Sequence, residues 1–264
     1  KIDKLAGKKI SDIEIKGNKA IKKEEILQQI TAEKGVEVNP EQLKKDLEAI
    51  FDLGYFFDVQ ILFENYQSGV RLIFEVVENP KIKEIKVLGN TKLDNAKIID
   101  KLGFELPQIL NVNQLNQGIK SVNQYYQDQG YVLAKVADVT IKNDHQLQVT
   151  INEGFINQIL IKGNDKTKRY VITREMTVKA GDVLNVEQLR DDITNIYRLG
   201  YFKSIIPKFE RVEDSQLVDV IIKVEEQKTG NFNIGVGYNS TSKLTGMINI
   251  EKENLGGRGQ KANL

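Results

Sequence analysis

Three short segments of the chain alternate apolar and polar residues. Their apolar members are Ile13 and Ile15, Ile85 and Val87, and Ile159 and Ile161. An alternation with a period of two is typical of a strand that buries one face of a sheet. Each segment ends in a Gly-Asn dipeptide, a pair that tolerates the positive φ of a turn. These dipeptides are Gly17 and Asn18, Gly89 and Asn90, and Gly163 and Asn164.

A helical pattern follows each turn at a constant distance. An asparagine lies 22 residues after each glycine, at Asn39, Asn111 and Asn185, and a glutamine follows three residues later. Asparagine at the N-cap and glutamine at the third helical position together resemble a capping box. Apolar residues then recur at spacings of three and four, which predicts one buried helix face. They are Leu43, Leu47, Ile50 and Phe51 in the first copy, and Leu189, Ile193, Ile196 and Tyr197 in the third. We interpret the charged residues between them, including Asp46, as a solvated face.

A Gly-Tyr dipeptide ends each predicted helix. The three copies are Gly54 and Tyr55, Gly130 and Tyr131, and Gly200 and Tyr201. Glycine adopts the left-handed conformation at a helix end without a Cβ penalty. The aromatic residue after it begins a strand, and we expect it to pack in the core rather than to contact a ligand. In the second copy the helix is longer by four residues, which is about one turn.

These signals define one unit that occurs three times. Each unit has the order β-α-α-β-β and predicts a three-stranded sheet with two helices on one face. The first helix is expected near residues 24–30 and 169–176, and a shorter one near residues 96–102 in the second copy. We place the modules at residues 9–79, 80–154 and 155–227. The predicted fold class is therefore α+β, built from tandem modules.

The last residues, 228–264, follow a different pattern. Phe232, Ile234, Val236 and Tyr238 alternate with asparagine and glycine, and a second apolar and polar stretch follows a polar turn. This arrangement resembles the first hairpin of a transmembrane β-barrel, in which one face meets lipid and the other a polar lumen. Since two strands do not close a barrel, we expect a barrel that is truncated in this chain.

Composition and charge exclude several kinds of function. The chain has 38 Lys and Arg against 37 Asp and Glu, without the basic stripe that nucleic acid needs, so we expect no nucleic-acid partner. It has no cysteine, and its single histidine, His145, lies in a polar turn. No nucleophile, base or paired carboxylate stands at a defined spacing. We therefore predict no catalytic residue, no metal site and no cofactor.

The order and spacing of these motifs resemble a known family. Three β-α-α-β-β modules with Gly-Asn turns and Gly-Tyr phrases, followed by GVGYNS and NLGGRGQ, are similar to the POTRA modules and barrel entry of BamA-like outer-membrane assembly proteins. The resemblance implies periplasmic modules, or modules in an equivalent intermembrane space, that pass unfolded outer-membrane proteins to a C-terminal barrel in the outer membrane. It also implies accessory assembly proteins as partners.

The second strand of each module is the predicted site of client binding. Pro207 interrupts this strand in the third module, and proline is confined to edges or bulges because it donates no ladder hydrogen bond. An edge strand can pair with an extended peptide. The first module lacks the proline, so its strand is the preferred site, comprising Phe57, Asp58, Val59, Gln60, Ile61, Leu62 and Phe63.

Other functions are compatible with the same residues. A TamA-like protein or a two-partner-secretion transporter carries similar modules, and the array could serve as a passive periplasmic spacer. For Val59 and Ile61, packing under the helices is the alternative to contact with a client.

Overall fold

A computed structural model describes residues 6–143, 145–213, 215–241 and 243–264. The chain divides into two compact units. The first contains the described residues up to Tyr125 together with Val136–Ile151, and the second contains Tyr126–Lys135 and Asn152–Leu264.

The first module has the predicted order of elements. They are β1 (Ile10–Lys16), α1 (Lys23–Leu27), α2 (Pro40–Phe51), β2 (Phe56–Tyr66) and β3 (Gly69–Glu78). The sheet order is β1-β3-β2, with β1 parallel and β2 antiparallel to the central strand β3. Ile26 and Leu43 of the helices pack against Leu72 and Phe74 of β3, so both helices bury against one face of the sheet.

The second module repeats this plan with additions. Its elements are β4 (Lys81–Ile82), β5 (Glu84–Leu88), α3 (Asn95–Leu102), β6 (Gln108–Ile109), α4 (Val112–Asp128), β7 (Lys135–Lys142) and β8 (Gln146–Asn152). The sheet order is β5-β8-β7, and the short strands β4 and β6 pair separately. Helix α4 has 17 residues against the 12 of α2, which confirms the predicted extra turn.

The third module lies in the second unit. It consists of β9 (Phe155–Lys162), α5 (Arg169–Thr173), α6 (Val186–Arg198), β10 (Phe202–Arg211) and β11 (Leu217–Glu226). The sheet order is again first, third and second strand, β9-β11-β10. Val171 and Leu189 of the helices share a core with Val220 and Ile222 of β11. The α+β fold predicted from the sequence is therefore confirmed.

The final segment forms three antiparallel strands. These are β12 (Gly230–Asn239), β13 (Lys243–Leu255) and β14 (Gln260–Asn263), in that order in the sheet. Phe232 lies opposite Ile250, and Tyr238 lies opposite Leu244, so the apolar residues share one face. That face is exposed, since the side chains of Ile234 and Val236 are 67% and 72% accessible.

Three parts of the predicted helix pattern are wrong. The first helix of the second module, α3, has 8 residues against 5 in α1 and α5, so it is not the shorter one. Phe51 and Tyr197, placed on the buried stripe, are 52% and 57% exposed, because the stripe ends one residue earlier at Ile50 and Ile196. Two of the three capping-box glutamines bind elsewhere, since Gln42 donates to Asp46 and Gln114 donates to the Gly103 carbonyl.

Among the described residues, no helix combines the length and the apolar content required to cross a bilayer.

Candidate functional site

Strand β2 forms one edge of the first module's sheet. It pairs with β3 from Phe56 opposite Glu78 to Tyr66 opposite Gly69, and no other strand in the described part of the chain pairs with it. In an antiparallel edge strand, alternate N–H and C=O groups point away from the sheet. Strand β2 therefore presents a row of main-chain groups to which an extended peptide can pair.

A bulge marks the start of this edge. The register shifts between Phe56 and Asp58, which leaves Phe57 without a partner on β3, and its side chain is 76% exposed. Further along, Leu62 and Phe63 are 44% and 39% exposed. Large apolar side chains thus accompany the free main-chain groups at both ends of the predicted segment.

The middle of the segment divides between the core and solvent. Val59 and Ile61 are partly buried and pack against the core of the first module. This agrees with the alternative that they pack under the helices and do not contact a client. Asp58 and Gln60 are exposed, and the Gln60 amide donates a hydrogen bond of 2.6 Å to Glu75 on the neighbouring strand. The side chains of Val59 and Ile61 therefore serve the fold, whereas the backbone edge remains available.

The second strand is an edge in all three sheets, as the proline argument predicted. Pro207 lies within β10, opposite Ile222 of the central strand β11. Because proline has no N–H, it removes a donor from this edge without breaking the ladder on the inner side. Strand β2 contains no proline and so has a donor at every position along its length.

Each Gly-Asn turn requires its glycine for two reasons. Gly17, Gly89 and Gly163 have φ values of 89°, 82° and 90°, a backbone conformation that residues with a Cβ atom rarely adopt. A Cβ atom at these positions would also lie 2.0–2.3 Å from a carbonyl oxygen of the third strand. The asparagine then closes the turn, because its Nδ2 donates to a carbonyl three residues ahead at 2.8–3.0 Å in Asn18, Asn90 and Asn164.

A glutamate at the end of the third strand binds the backbone of this turn. Glu78 accepts hydrogen bonds from the N–H groups of Lys19, Ala20 and Ile21 at 2.6–3.0 Å. Glu226 does the same for Lys166 and Thr167 in the third module. Burial raises the pKa of Glu226, but these hydrogen bonds and the charge of Lys166 outweigh burial and lower the pKa. The Gly-Asn turn of the third module is therefore held by the ionised carboxylate of Glu226.

The Gly-Tyr phrase has a role that the sequence did not reveal. The carbonyl of Gly54 accepts hydrogen bonds from the Val112 N–H at 2.8 Å and from the Asn79 amide at 3.0 Å. Asn111 donates to the Leu53 carbonyl at 2.8 Å, while its Oδ1 caps the start of α4. The N-cap asparagine of the second module thus also binds the helix end of the first.

The same contacts recur between the end of α4 and the start of α6. The Gly130 carbonyl accepts from the Val186 N–H at 3.0 Å, and Asn185 donates to the Gln129 carbonyl at 2.9 Å. A Cβ atom on Gly54 or Gly130 would lie 2.7 Å or 2.8 Å from the Oδ1 of the capping asparagine. We call these two sets of contacts the module joints. The repeated phrase therefore also joins each module to the next.

A buried aspartate is a second feature that sequence reasoning missed. Asp46, assigned above to a solvated face, is 1% exposed and accepts hydrogen bonds from the N–H groups of Thr31 and Ala32 and from the Thr31 hydroxyl. Asp192 binds Thr177 and Val178 in the same way. The second module has Gly118 at this place, where a Cβ would lie 2.4 Å from the Leu102 carbonyl oxygen.

The turn between β13 and β14, residues 254–260, packs on the third module. The buried Asn254 donates to the Thr167 hydroxyl at 2.8 Å, and the Gly257 carbonyl accepts from the Lys168 N–H at 2.8 Å. Tyr170 donates to the Arg258 carbonyl at 3.3 Å. The residues after the Gly-Asn turn of this module, Thr167 to Tyr170, therefore contact the turn between β13 and β14.

Replacing Gly257 by alanine is expected to separate this turn from the third module. The new Cβ would lie 1.9 Å from the Lys166 carbonyl oxygen, so the turn must move away. Hydrogen exchange at residues 165–170 and 254–260 should increase by about tenfold or more. Gly256→Ala is the matched control, since Gly256 also has positive φ, at 59°, but a Cβ atom added there would meet no non-neighbouring residue within 4 Å. Equal effects from both variants would contradict the packing argument.

Among the described residues, His145 and Tyr126 make contacts that serve the fold. Within the described residues, no group of three His, Asp or Glu side chains is placed to hold a metal ion. His145 is exposed, with its Nδ1 3.1 Å from the Lys81 carbonyl oxygen. Buried Tyr126 donates to Glu153 at 3.0 Å, and burial together with this carboxylate raises the pKa of the phenol. This bond links the end of α4 to Glu153, which directly follows β8, and the raised pKa keeps the tyrosine protonated.

Comparison with known families assigns the modules. The family model described as POTRA, surface antigen variable number repeat, matches residues 8–79, 80–154 and 155–227. The chain therefore belongs to the POTRA family, as the sequence motifs indicated.

Relatives of the chain include a bacterial outer membrane protein assembly factor and a chloroplastic outer envelope protein. The chain is 30% identical over 249 residues to an outer membrane protein assembly factor BamA of Nitratidesulfovibrio vulgaris, covering 84% of this chain and 32% of that protein. It is 27% identical over 238 residues to the chloroplastic outer envelope protein 80 of rice, covering 84% of this chain and 36% of the relative. The chain thus spans about a third of the length of these relatives.

Two solved structures match the fold over most of this chain. The N-terminal domain of Omp85 from Thermosynechococcus elongatus superposes with a TM-score of 0.75 at 28% identity, covering 83% of this chain and 97% of that domain. The POTRA1-3 region of Omp85 from Anabaena gives a TM-score of 0.69 at 26% identity, covering 84% of this chain and 96% of that region. The chain is similar to the POTRA regions of both proteins.

Proposed function

We propose that this chain is the periplasmic POTRA region of an outer-membrane protein assembly factor. Its modules receive unfolded outer-membrane proteins and deliver them to a C-terminal barrel that includes β12 and β13. Accessory assembly proteins are further partners. The relatives named as assembly factors support the class of function, and the alternating apolar face of β12 and β13 supports the membrane assignment.

The single observation that carries the client step is the edge strand β2. It combines outward main-chain groups with exposed Phe57, Leu62 and Phe63, and it has no proline. Main-chain pairing gives affinity without demanding one sequence, whereas exposed apolar side chains favour clients that alternate apolar and polar residues. Such pairing fits a protein that handles many different strands.

A crosslinking experiment tests this step. A photoreactive residue replaces Gln60, and the chain is mixed with a synthetic peptide that has the alternating pattern of an outer-membrane strand. We expect crosslinking that saturates with peptide concentration. Val77 provides the control position, since it is 47% exposed on the central strand and lies opposite Asp58, on the same face as Gln60. Equal capture at both positions, or no capture at Gln60, would refute pairing at the edge.

The proline in the third module allows a complementary test. Pro207→Val adds an N–H to the outward side of β10 and should increase peptide capture at that edge. If capture depends only on apolar contact, this variant will leave it unchanged. A passive spacer, the alternative of a different class, predicts no saturable binding at either edge.

A further inference from the structure

A cleft lies beneath the Gly-Asn turn of the third module, and we call it the module-three cleft. Its volume is about 600 Å³. The turn residues 165–168 form one side, the end of β11 with residues 227–230 forms another, and Lys252, Asn254 and Gly257 complete it. The cleft therefore lies where the third module meets the final three strands.

Four lysines line this cleft, namely Lys166, Lys168, Lys228 and Lys252. All four are exposed, and none of them belongs to an ion pair in the described part of the chain. Two carboxylates, Asp165 and Glu226, also line the cleft and leave it with a net charge of +2. The Glu226 carboxylate is already engaged by hydrogen bonds from the turn's N–H groups, and its negative charge is included in this count.

The first module shows that the repeated fold does not require this charge. Its corresponding cleft, about 520 Å³ in volume, lies between Gly17 and the end of β3. That cleft has one lysine, Lys19, and two glutamates, Glu75 and Glu78, so its net charge is −1. The excess of lysine is thus specific to this cleft, to which the third module contributes Lys166 and Lys168 and the final segment contributes Lys228 and Lys252.

The module-three cleft is continuous with the exposed apolar face of these strands. Gly230, which lines the cleft, begins β12 and lies opposite Lys252 of β13. The next apolar pair along the hairpin is Phe232 and Ile250, which are 60% and 41% exposed. A ligand that has a negative head and an apolar tail matches this change from lysine to apolar surface.

We propose that the module-three cleft binds the phosphate of an anionic phospholipid headgroup, with the acyl chains lying along the apolar face of β12 and β13. A lysine ammonium binds phosphate as a point charge, and clustered lysines attract anionic membrane surfaces. Lipid binding in the cleft thus holds the third module at a fixed distance from the membrane surface. The assignment of a membrane as the source of the phosphate rests on the proposed function.

The test uses the 264-residue chain and water-soluble dihexanoyl lipids below their micelle concentration. Calorimetric titration with dihexanoyl phosphatidylglycerol should show saturable binding, and amide NMR should place it at residues 165–168, 228–230 and 252–257. The combined variant Lys166→Gln, Lys228→Gln and Lys252→Gln should weaken binding by about tenfold or more. Dihexanoyl phosphatidylcholine, which has no net charge, should bind more weakly than the anionic lipid.

A matched variant controls for total charge. Lys19→Gln, Lys22→Gln and Lys23→Gln remove the same charge from the corresponding turn region of the first module, where all three side chains are exposed. This variant should bind the anionic lipid as the unchanged chain does. Equal weakening by both variants would show attraction by net charge alone and would overturn the proposal.

Two further outcomes distinguish a lipid phosphate from free phosphate, and the cleft proposal from the client-binding proposal. Inorganic phosphate that binds as tightly as the anionic lipid would show a free-phosphate site and overturn the lipid assignment. If the module-three variant loses lipid binding but keeps peptide crosslinking at Gln60, the two sites are independent, as we expect. Crosslinking without specific lipid binding would refute the cleft proposal alone, and lipid binding without crosslinking would refute the client step alone.

Discussion

Replacing Gly163 by alanine is expected to destabilise the third module by about 4 kcal/mol, because two costs combine. The residue has a φ of 90°, which alanine disfavours, and the new Cβ would lie 2.1 Å from the Val224 carbonyl oxygen. The Gly-Asn turn would have to move away from β11 and lose the hydrogen bonds to Glu226. Urea titration with hydrogen exchange read at peptides of the third module measures the change without assuming that all modules unfold together.

Gly181→Ala separates the two costs. Gly181 lies in the same module with a φ of 89°, but a Cβ atom added there would meet no non-neighbouring residue within 4 Å. Backbone strain alone should lower stability by about 1–2 kcal/mol. If both alanine variants lose the same stability, the close approach of Gly163 to β11 has no energetic consequence and the interpretation of the turn is wrong.

Asp192→Ala is expected to cost about 3 kcal/mol of module stability. The carboxylate accepts three hydrogen bonds of 2.8–3.0 Å from Thr177 and Val178, and its removal leaves the N–H of buried Val178 and the partly buried N–H of Thr177 without this acceptor. The same exchange and urea measurement reports the loss. Asn at this position keeps one acceptor oxygen, so Asp192→Asn should retain part of the stability.

The neighbouring residue provides the control for this variant. Asp191 is exposed on the same helix, so Asp191→Ala removes the same charge from solvent and should change stability by less than about 0.5 kcal/mol. A comparable loss from both variants would indicate that helix charge, rather than the buried hydrogen bonds, stabilises the module.

The elements of each module could be predicted because their signals are local. The alternation that ends at Gly17, the cap at Asn39 and the stop at Gly54 each specify a short stretch of backbone through their own chemistry. Pro207 similarly predicted that the second strand is an edge, since proline cannot donate within a ladder. Repetition made each signal more specific than a single occurrence would be.

The remaining features depend on contacts between distant residues. Asp46 stands among lysines and glutamates on its helix, so its sequence neighbours predict solvent. Its partners Thr31 and Ala32 are 14–15 residues away, and only tertiary packing brings their N–H groups to the carboxylate. The contact of Asn111 with Leu53 could not be predicted for the same reason, because it spans 58 residues. The local sequence indicates only that Asn111 caps a helix.

The module joints explain how such a chain can gain or lose a repeat. Both joints use the same chemistry, in which an asparagine at the start of a module's second helix donates to a carbonyl next to the glycine that follows the second helix of the preceding module. A gene duplication that inserts one more copy would bring a compatible donor and acceptor to each new boundary. Copy number can therefore change during evolution without new residues arising to connect the inserted unit.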